Sequence, residues 1–314
     1  MKQELLLMID LAPKSRALLE RAYTVHHATT PQARTEVARQ HGERVRGIVT
    51  NGTTILPAAL IDSLPQLGII CAQGVGFEGI DIAAARAHGI VVTHGPGTNA
   101  VSVADHAMAL MLAALRDLPN NDATVRAGRW REGRTMRPMA SGRRFGLLGL
   151  GRIGTLIARR AAAFDMPIAY HTRTPRPESG LTYVPEIMEL AEWADILMIA
   201  VPGGAGTRHM VNAQVLAALG PEGFLVNIGR GSVVDTAALV EALQTGALAG
   251  AALDVIDGEP EVPQALRDLP NVVLTPHMAG RSPEAVHATI TLVLSNLEAF
   301  FAGRPVLTPV PTMA

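Results

Sequence analysis

Arg144-Phe145-Gly146-Leu147-Leu148-Gly149-Leu150-Gly151-Arg152-Ile153-Gly154 decides how the chain is read. Phe145–Leu148 is a short buried strand, the glycines that follow form a tight turn, and Thr155–Phe164 has helical periodicity. Working outward, the same alternation recurs. Leu5–Ile9, Gly47–Thr50, Gly68–Ala72 and Ile90–Thr93 read as strands. Pro13–Ala22, Arg34–His41, Ala58–Ser63 and Asp81–His88 read as helices between them. Parallel neighbours need a crossover, so strand–helix alternation predicts α/β architecture with helices on both faces of parallel sheets. A long helix is expected over Ala100–Leu118 and another over Pro283–Phe300. Asn120–Arg143 is polar, arginine-bearing and weakly periodic, and the proline-rich Pro305–Thr312 reads as a tail.

Composition narrows the class. At 314 residues the chain exceeds what one core usually organises, so two domains are expected. A 48% hydrophobic and 18% charged content rules out a disordered chain. With 27 basic against 28 acidic residues and no run of like charge, nothing favours a nucleic-acid backbone or an anionic membrane as partner. The single cysteine, Cys71, excludes an intrachain disulfide and a thiolate metal cluster, and no metal site is expected. Leu5–Ile9 is too short for the apolar region of a signal peptide, and Asp105 and His106 interrupt the 100–115 stretch. The expectation is a cytoplasmic protein.

The glycine turn carries a chemical reading. Gly149 permits the turn, Gly151 lets backbone approach a pyrophosphate, and Gly154 lets helix and strand pack closely. Exposed N–H groups at the helix start, with its dipole, bind an anion without a metal. An acid about twenty residues later would accept from an adenosine ribose 2′-hydroxyl. Here His171-Thr172-Arg173 stands in that place, with Arg176 beyond. Guanidinium and hydroxyl groups suit a 2′-phosphate, so NADPH is expected over NADH, unless both arginines are ordinary surface residues.

Further motifs are Gly74-Val75-Gly76-Phe77-Glu78-Gly79-Ile80-Asp81, Asn227-Ile228-Gly229-Arg230-Gly231, Leu253-Asp254-Val255-Ile256-Asp257-Gly258-Glu259-Pro260 and Leu274-Thr275-Pro276-His277. Together with the glycine turn, over nearly the whole chain, they resemble the D-isomer-specific 2-hydroxyacid dehydrogenases, and among these most the glyoxylate/hydroxypyruvate reductases. The resemblance implies two doubly wound parallel-sheet domains. One is a discontinuous flavodoxin-like substrate domain, residues 1–98 plus 283–314, and the other an inserted Rossmann dinucleotide-binding domain, residues 99–282. It implies reduction of small 2-keto acids (glyoxylate, hydroxypyruvate) to D-2-hydroxy acids by hydride from NADPH. It also implies a homodimer, with Trp130 in the region that meets the second subunit.

That chemistry needs a cation for the carboxylate and a proton donor for the new alkoxide. Arg230 can form two parallel N–H bonds to a carboxylate or polarise the keto oxygen. His277 is the natural acid because imidazole titrates near neutrality, and a carboxylate beside it favours imidazolium. The motif points to Glu259 as that carboxylate, while Asp257 and Glu261 are alternatives. Glutamate there also disfavours a formate dehydrogenase, whose histidine has a glutamine partner.

The resemblance further assigns Val75 and Gly76 N–H groups to the substrate carboxylate, Arg152 and Ile153 N–H groups to the pyrophosphate, Asp254 to the nicotinamide carboxamide, and Thr98 to the nicotinamide half of the cofactor. Asn51, in the loop Thr50-Asn51-Gly52, is expected to contact the substrate. His106 is expected to be a packed structural histidine. His171 stands where NAD-preferring relatives carry an acid, and Arg281 where they often carry a smaller residue. Two rivals remain: an NAD-linked dehydrogenase of larger D-2-hydroxy acids, and a non-enzymatic dinucleotide sensor. A sensor need not retain Arg230, Glu259 and His277 together.

Overall fold

A computed structural model describes residues 2–311, so Thr312, the end of the proline-rich tail, lies outside the described residues. The chain divides into two compact units, Met1–Asn99 with Arg281–Ala314, and Ala100–Gly280.

Unit 1 begins with β1 (Glu4–Leu7), α1 (Pro13–Ala22), β2 (Thr24–His27), α2 (Pro31–His41) and β3 (Val45–Asn51). It continues with α3 (Ala58–Asp62), β4 (Ile69–Gln73), α4 (Ile82–Ala87) and β5 (Val91–Thr93). All sheet pairs are parallel, in the order β2-β1-β3-β4-β5. Side chains alternate across a strand, so both faces of a fully apolar one are buried. Leu5 and Leu7 pack with Val49, Ile69 and Cys71, while Leu6 and Met8 pack with Ile48 and Ile70 on the other face. Helix starts follow the sequence: Thr30 Oγ1 accepts from Ala33 N at 3.2 Å ahead of α2, and Asp81 Oδ1 from Ala84 N at 2.9 Å ahead of α4.

Unit 2 runs α5 (Ala100–Arg116), α6 (Leu118–Arg126), β6 (Phe145–Leu148), α7 (Arg152–Ala162), β7 (Ile168–His171), β8 (Thr182–Tyr183) and α8 (Ile187–Trp193). It ends with β9 (Ile196–Ile199), α9 (Ala213–Leu219), β10 (Phe224–Asn227), α10 (Thr236–Gln244), β11 (Gly250–Leu253), α11 (Gln264–Arg267) and β12 (Val272–Leu274). Its parallel sheet has the order β12-β11-β10-β9-β6-β7-β8. The winding reverses between β6 and β9, and in such sheets ligands bind beyond the strands' carboxyl ends at that reversal. One face of the sheet packs on Val103, Met108 and Leu115 of α5 with Ile157 of α7, the other on Leu190, Val215 and Leu239. Finally α12 (Pro283–Phe301) belongs to unit 1, where Ile290, Val293 and Leu297 join the cluster of Leu5 and Leu7.

Two elements differ from the reading of the sequence. Thr24–His27 is an edge strand with only partial burial and no clean alternation. Leu118–Arg126 is a helix with no buried side chain, so it has no apolar stripe to read. Among the described residues, no helix is long and apolar enough to cross a membrane.

Asp195, just before β9, ties the starts of two central strands. Its Oδ2 accepts from Arg144 N at 2.8 Å and its Oδ1 from Arg144 Nη2 at 2.7 Å. These bonds outweigh partial burial and hold the carboxyl below its ordinary range. A depressed folded value contributes stability above the ordinary carboxylate range, which is lost as pH falls through the folded value. Asp195→Asn is therefore expected to flatten the acid-side fall of the melting temperature. Melting curves from about pH 6 down to about pH 2 check this, and an unchanged slope would rule it out.

Candidate active site

The glycine turn follows the carboxyl end of β6. Gly149 has φ +101°, a conformation that favours glycine, and a Cβ there would lie 2.8 Å from Ala200 O. A Cβ on Gly154 would lie 2.1 Å from Gly149 O, so helix and turn touch through backbone. By contrast, a Cβ on Gly151 would meet nothing within 4 Å. Gly151 is also the N-cap of α7, and no side chain caps that helix. An open approach to an uncapped helix start fits a pyrophosphate.

Gly149 N donates to His171 O at 2.9 Å, which fixes the end of β7 beside this turn. His171 Nδ1 lies 3.1 Å from Val184 O; since a carbonyl only accepts, Nδ1 carries the proton. Thr172 Oγ1 donates to Thr174 O at 2.7 Å, so its proton is engaged within the loop. Arg173 and Arg176 are exposed, and neither guanidinium has an acidic partner among the described residues.

Arg230, Glu259 and His277 all belong to unit 2. Asn227, 1% exposed at the end of β10, shapes the loop that carries Arg230. Its Nδ2 donates to Arg230 O and its Oδ1 accepts from Gly229 N, each at 3.0 Å. Glu259 Oε1 lies 2.5 Å from His277 Nδ1. Burial raises the Glu259 carboxyl, but the His277 hydrogen bond and charge, with Ile256 N–H and Arg230, outweigh it and leave it below the ordinary value. Glu259 is therefore ionised at neutral pH, and its bond fixes the proton on His277 Nδ1. The other ring nitrogen, Nε2, is left for proton transfer. Of the alternatives, Asp257 lies 3.5 Å from Arg208 Nη2 and 3.6 Å from His209 Nε2.

His277 has φ +49°, unusual for a side-chain-bearing residue. Asp254, buried to 2% exposure, holds the turn that imposes it. Its Oδ1 accepts from Thr275 Oγ1 at 2.6 Å and Met278 N at 2.9 Å, and its Oδ2 from Ala279 N at 2.9 Å. His277 N donates to Asp254 O at 2.8 Å. His106 Nε2 is 3.0 Å from Thr275 Oγ1 and 3.5 Å from Asp254 Oδ1. The Thr275 proton goes to Asp254, so His106 is the donor to Thr275. The resemblance implies Asp254 as a contact to the carboxamide; its carboxylate is bonded to the turn of His277. Asn227, Thr275 and His106 were not read as site residues, because each acts through another residue's backbone or hydroxyl. For Asn227 and Thr275 the only available signal was their place in the motifs, and His106 lies in none of them.

In unit 1, Thr98 Oγ1 donates to Gly95 O at 3.0 Å and lies 2.9 Å from Thr289 Oγ1. Asn51 Oδ1 accepts from Thr53 N at 3.1 Å and Thr54 N at 2.8 Å, so this side chain folds back on its own loop. Val75 and Gly76 lie on the loop after β4, with Val75 38% exposed.

Two other features lie apart from these residues. A cavity of about 560 Å³ in unit 2 is lined by Asn120, Arg137 and Arg143 with Phe224 and Val272, at the amino ends of β10 and β12 and away from the glycine turn. Glu4, His26 and His41 bring three ligand-type atoms within 4.8 Å, but Arg44 already bonds Glu4 Oε1 and His41 Nδ1, each at 2.7 Å.

A parallel sheet with a glycine turn at its reversal, followed by an Arg–Glu–His set, defines a dinucleotide-linked dehydrogenase of hydroxy acids. The model for "D-isomer specific 2-hydroxyacid dehydrogenase, NAD binding domain" matches residues 108–279, and the chain belongs to that family. It is 42% identical over 306 residues to a glyoxylate/hydroxypyruvate reductase A of Arabidopsis thaliana, covering 97% of this chain and 98% of that one. It is 40% identical over 314 residues to a 2-ketogluconate reductase of Gluconobacter oxydans, covering 98% and 99%. Among solved structures, an NADPH-dependent glyoxylate/hydroxypyruvate reductase of Sinorhizobium meliloti, in complex with NADP and malonate, superposes with a TM-score of 0.88. It is 44% identical, with 99% of this chain and 97% of that one covered.

Proposed function

We propose that the protein reduces small 2-keto acids, glyoxylate and hydroxypyruvate first, to D-2-hydroxy acids with NADPH. The observation that carries this is the 2.5 Å bond from His277 Nδ1 to Glu259 Oε1, in the unit that also supplies Arg230. Bound reduced nicotinamide supplies the hydride to the carbonyl carbon. His277, protonated on both nitrogens, gives its Nε2 proton to the carbonyl oxygen as charge develops there. Glu259 holds the ring and stabilises its charge before transfer. Arg230 draws electron density from the keto oxygen or grips the carboxylate. The amides of Val75 and Gly76 receive the substrate carboxylate, with Thr50-Asn51-Gly52 beside them in sequence-predicted contact. Asp254, through its bonds to 275–279, is a positioning residue for His277.

The glycine turn binds the pyrophosphate, and the guanidiniums of Arg173 and Arg176, without an acidic partner among the described residues, favour a 2′-phosphate. Initial rates with NADPH and NADH over a panel from glyoxylate to 2-ketogluconate test the reading. NADPH should win with the smallest acids, and Arg173→Ala should weaken NADPH binding far more than NADH binding. Equal efficiency with both cofactors, or an equal loss of affinity for both in the variant, would refute the preference. Tight NADPH binding without turnover of any 2-keto acid would instead favour a sensor.

Five large apolar side chains are exposed within 118–139, namely Leu118, Val125, Trp130, Met136 and Met139. Leu118 and Val125 lie on a helix with no buried residue and the other three on the segment after it, and exposed apolar surface of this kind supports a homodimer formed through this segment. The mass of a single chain by light scattering would end that reading.

A further inference from the structure

The loop after β4 bends sharply at Gly74, whose φ is +98°. Gly74 O accepts from Gly95 N at 2.5 Å, and Val75 O lies 2.9 Å from His94 Nδ1. Because a carbonyl only accepts, Nδ1 is the protonated nitrogen of His94. In an extended strand consecutive carbonyls point to opposite sides. Here two in succession are held from the same side by one turn, His94–Gly95. A trans peptide carries its N–H opposite its C=O. Fixing Gly74 O therefore aims Val75 N–H, and fixing Val75 O aims Gly76 N–H, both away from the His94 side. Neither amide has an acceptor among the described residues. Two adjacent N–H groups turned the same way form an anion-binding concavity.

His94 is itself fixed. Its N donates to Thr308 O at 3.1 Å and its O accepts from Thr308 Oγ1 at 2.6 Å. Asn296 of α12, 1% exposed, bonds Thr308 in turn through Nδ2 to Oγ1 at 3.0 Å. The ring also meets Phe77 edge-on, with centroids 5.4 Å apart. On the loop's far flank, a Cβ at Gly52 would lie 2.6 Å from Gly76 C. The loop is thus held from both neighbouring strand ends. Of the two bonds that aim the amides, one comes from backbone and only the other from a side chain.

We infer that His94 is a positioning residue for substrate: it directs the Gly76 amide toward the carboxylate of the 2-keto acid. This deepens the proposed function and rests on it. His94 touches neither substrate nor cofactor in this role, so its loss should appear in substrate binding. In His94→Phe the KM for glyoxylate is expected to rise about 10- to 100-fold, the range for a misdirected hydrogen bond to a charged group. Inhibition by oxamate, an unreactive 2-keto acid analogue, should weaken by a similar factor. Turnover at saturation and NADPH affinity should stay within about threefold. His94→Asn, which keeps an N–H donor at about the reach of Nδ1, should recover most of the loss. The inference is overturned if His94→Phe leaves KM and oxamate inhibition unchanged, or if Asn is no better than Phe. It is equally overturned if NADPH affinity and melting temperature fall as KM rises, since that marks general damage. A wild-type protein that reduces no 2-keto acid would sink the functional reading itself.

Discussion

Replacing His277 by alanine is expected to lower turnover by about 10²–10⁴ while NADPH binding stays near wild type. The expectation follows from a division of labour on one ring. Nδ1 is held at 2.5 Å by a carboxylate kept ionised, which leaves Nε2 as the only nitrogen able to move a proton. Alanine removes that proton but leaves Arg230 and the glycine turn, so cofactor and carboxylate still bind. Single-turnover rates with NADPH and glyoxylate read the chemical step directly. An unaltered rate would remove His277 from the reaction.

Gly231→Ala is expected to damage stability and activity together, by a steric route. A Cβ on Gly231 would lie 2.0 Å from Ile256 C, 2.2 Å from Asp257 N and 2.3 Å from Ile256 O. All three are backbone atoms of the segment leading to Glu259, so no rotamer change relieves the clash. The neighbouring Gly229 is equally confined, with a Cβ 2.5 Å from Val201 O. Arg230 therefore rides on backbone wedged between two other loops. Separating them should cost about 3 kcal/mol or more, roughly 6–12 °C in melting temperature for a unit of this size. A displacement of about 1 Å at Arg230 can cost about 100-fold in kcat/KM. Calorimetry and steady-state kinetics check both, and a variant with wild-type values in each would contradict the packing described.

The alternating strands and helices were legible because apolar runs such as Leu5–Ile9 and Phe145–Leu148 are buried on both sheet faces. Leu118–Arg126 was not, because no packing contact writes a period into its side chains. The motifs identified Arg230, Glu259 and His277, but residue types alone left Glu259 level with Asp257 and Glu261. The motif ranks Glu259 above both, and the fold turns Glu259 to His277 and Asp257 to Arg208 and His209. Supporting residues were harder still. Asn227 acts through bonds to backbone two and three residues on, while Asp254, Thr275 and His94 act through hydrogen bonds to groups about twenty residues away in sequence. A string of letters does not show such distances.

Because unit 1 is assembled from both ends of the chain, its completion is delayed during synthesis. A nascent polypeptide emerges from its amino end, and domains generally mature as units. Unit 2 leaves the ribosome whole while the β1–β5 sheet still lacks α12, so the cluster of Leu5, Leu7 and Ile69 is covered only in part, by Leu19 of α1 and Tyr23 just after it, until Ile290, Val293 and Leu297 arrive. That interval exposes a greasy half-sheet to chaperones, and shortening the final helix would make it permanent.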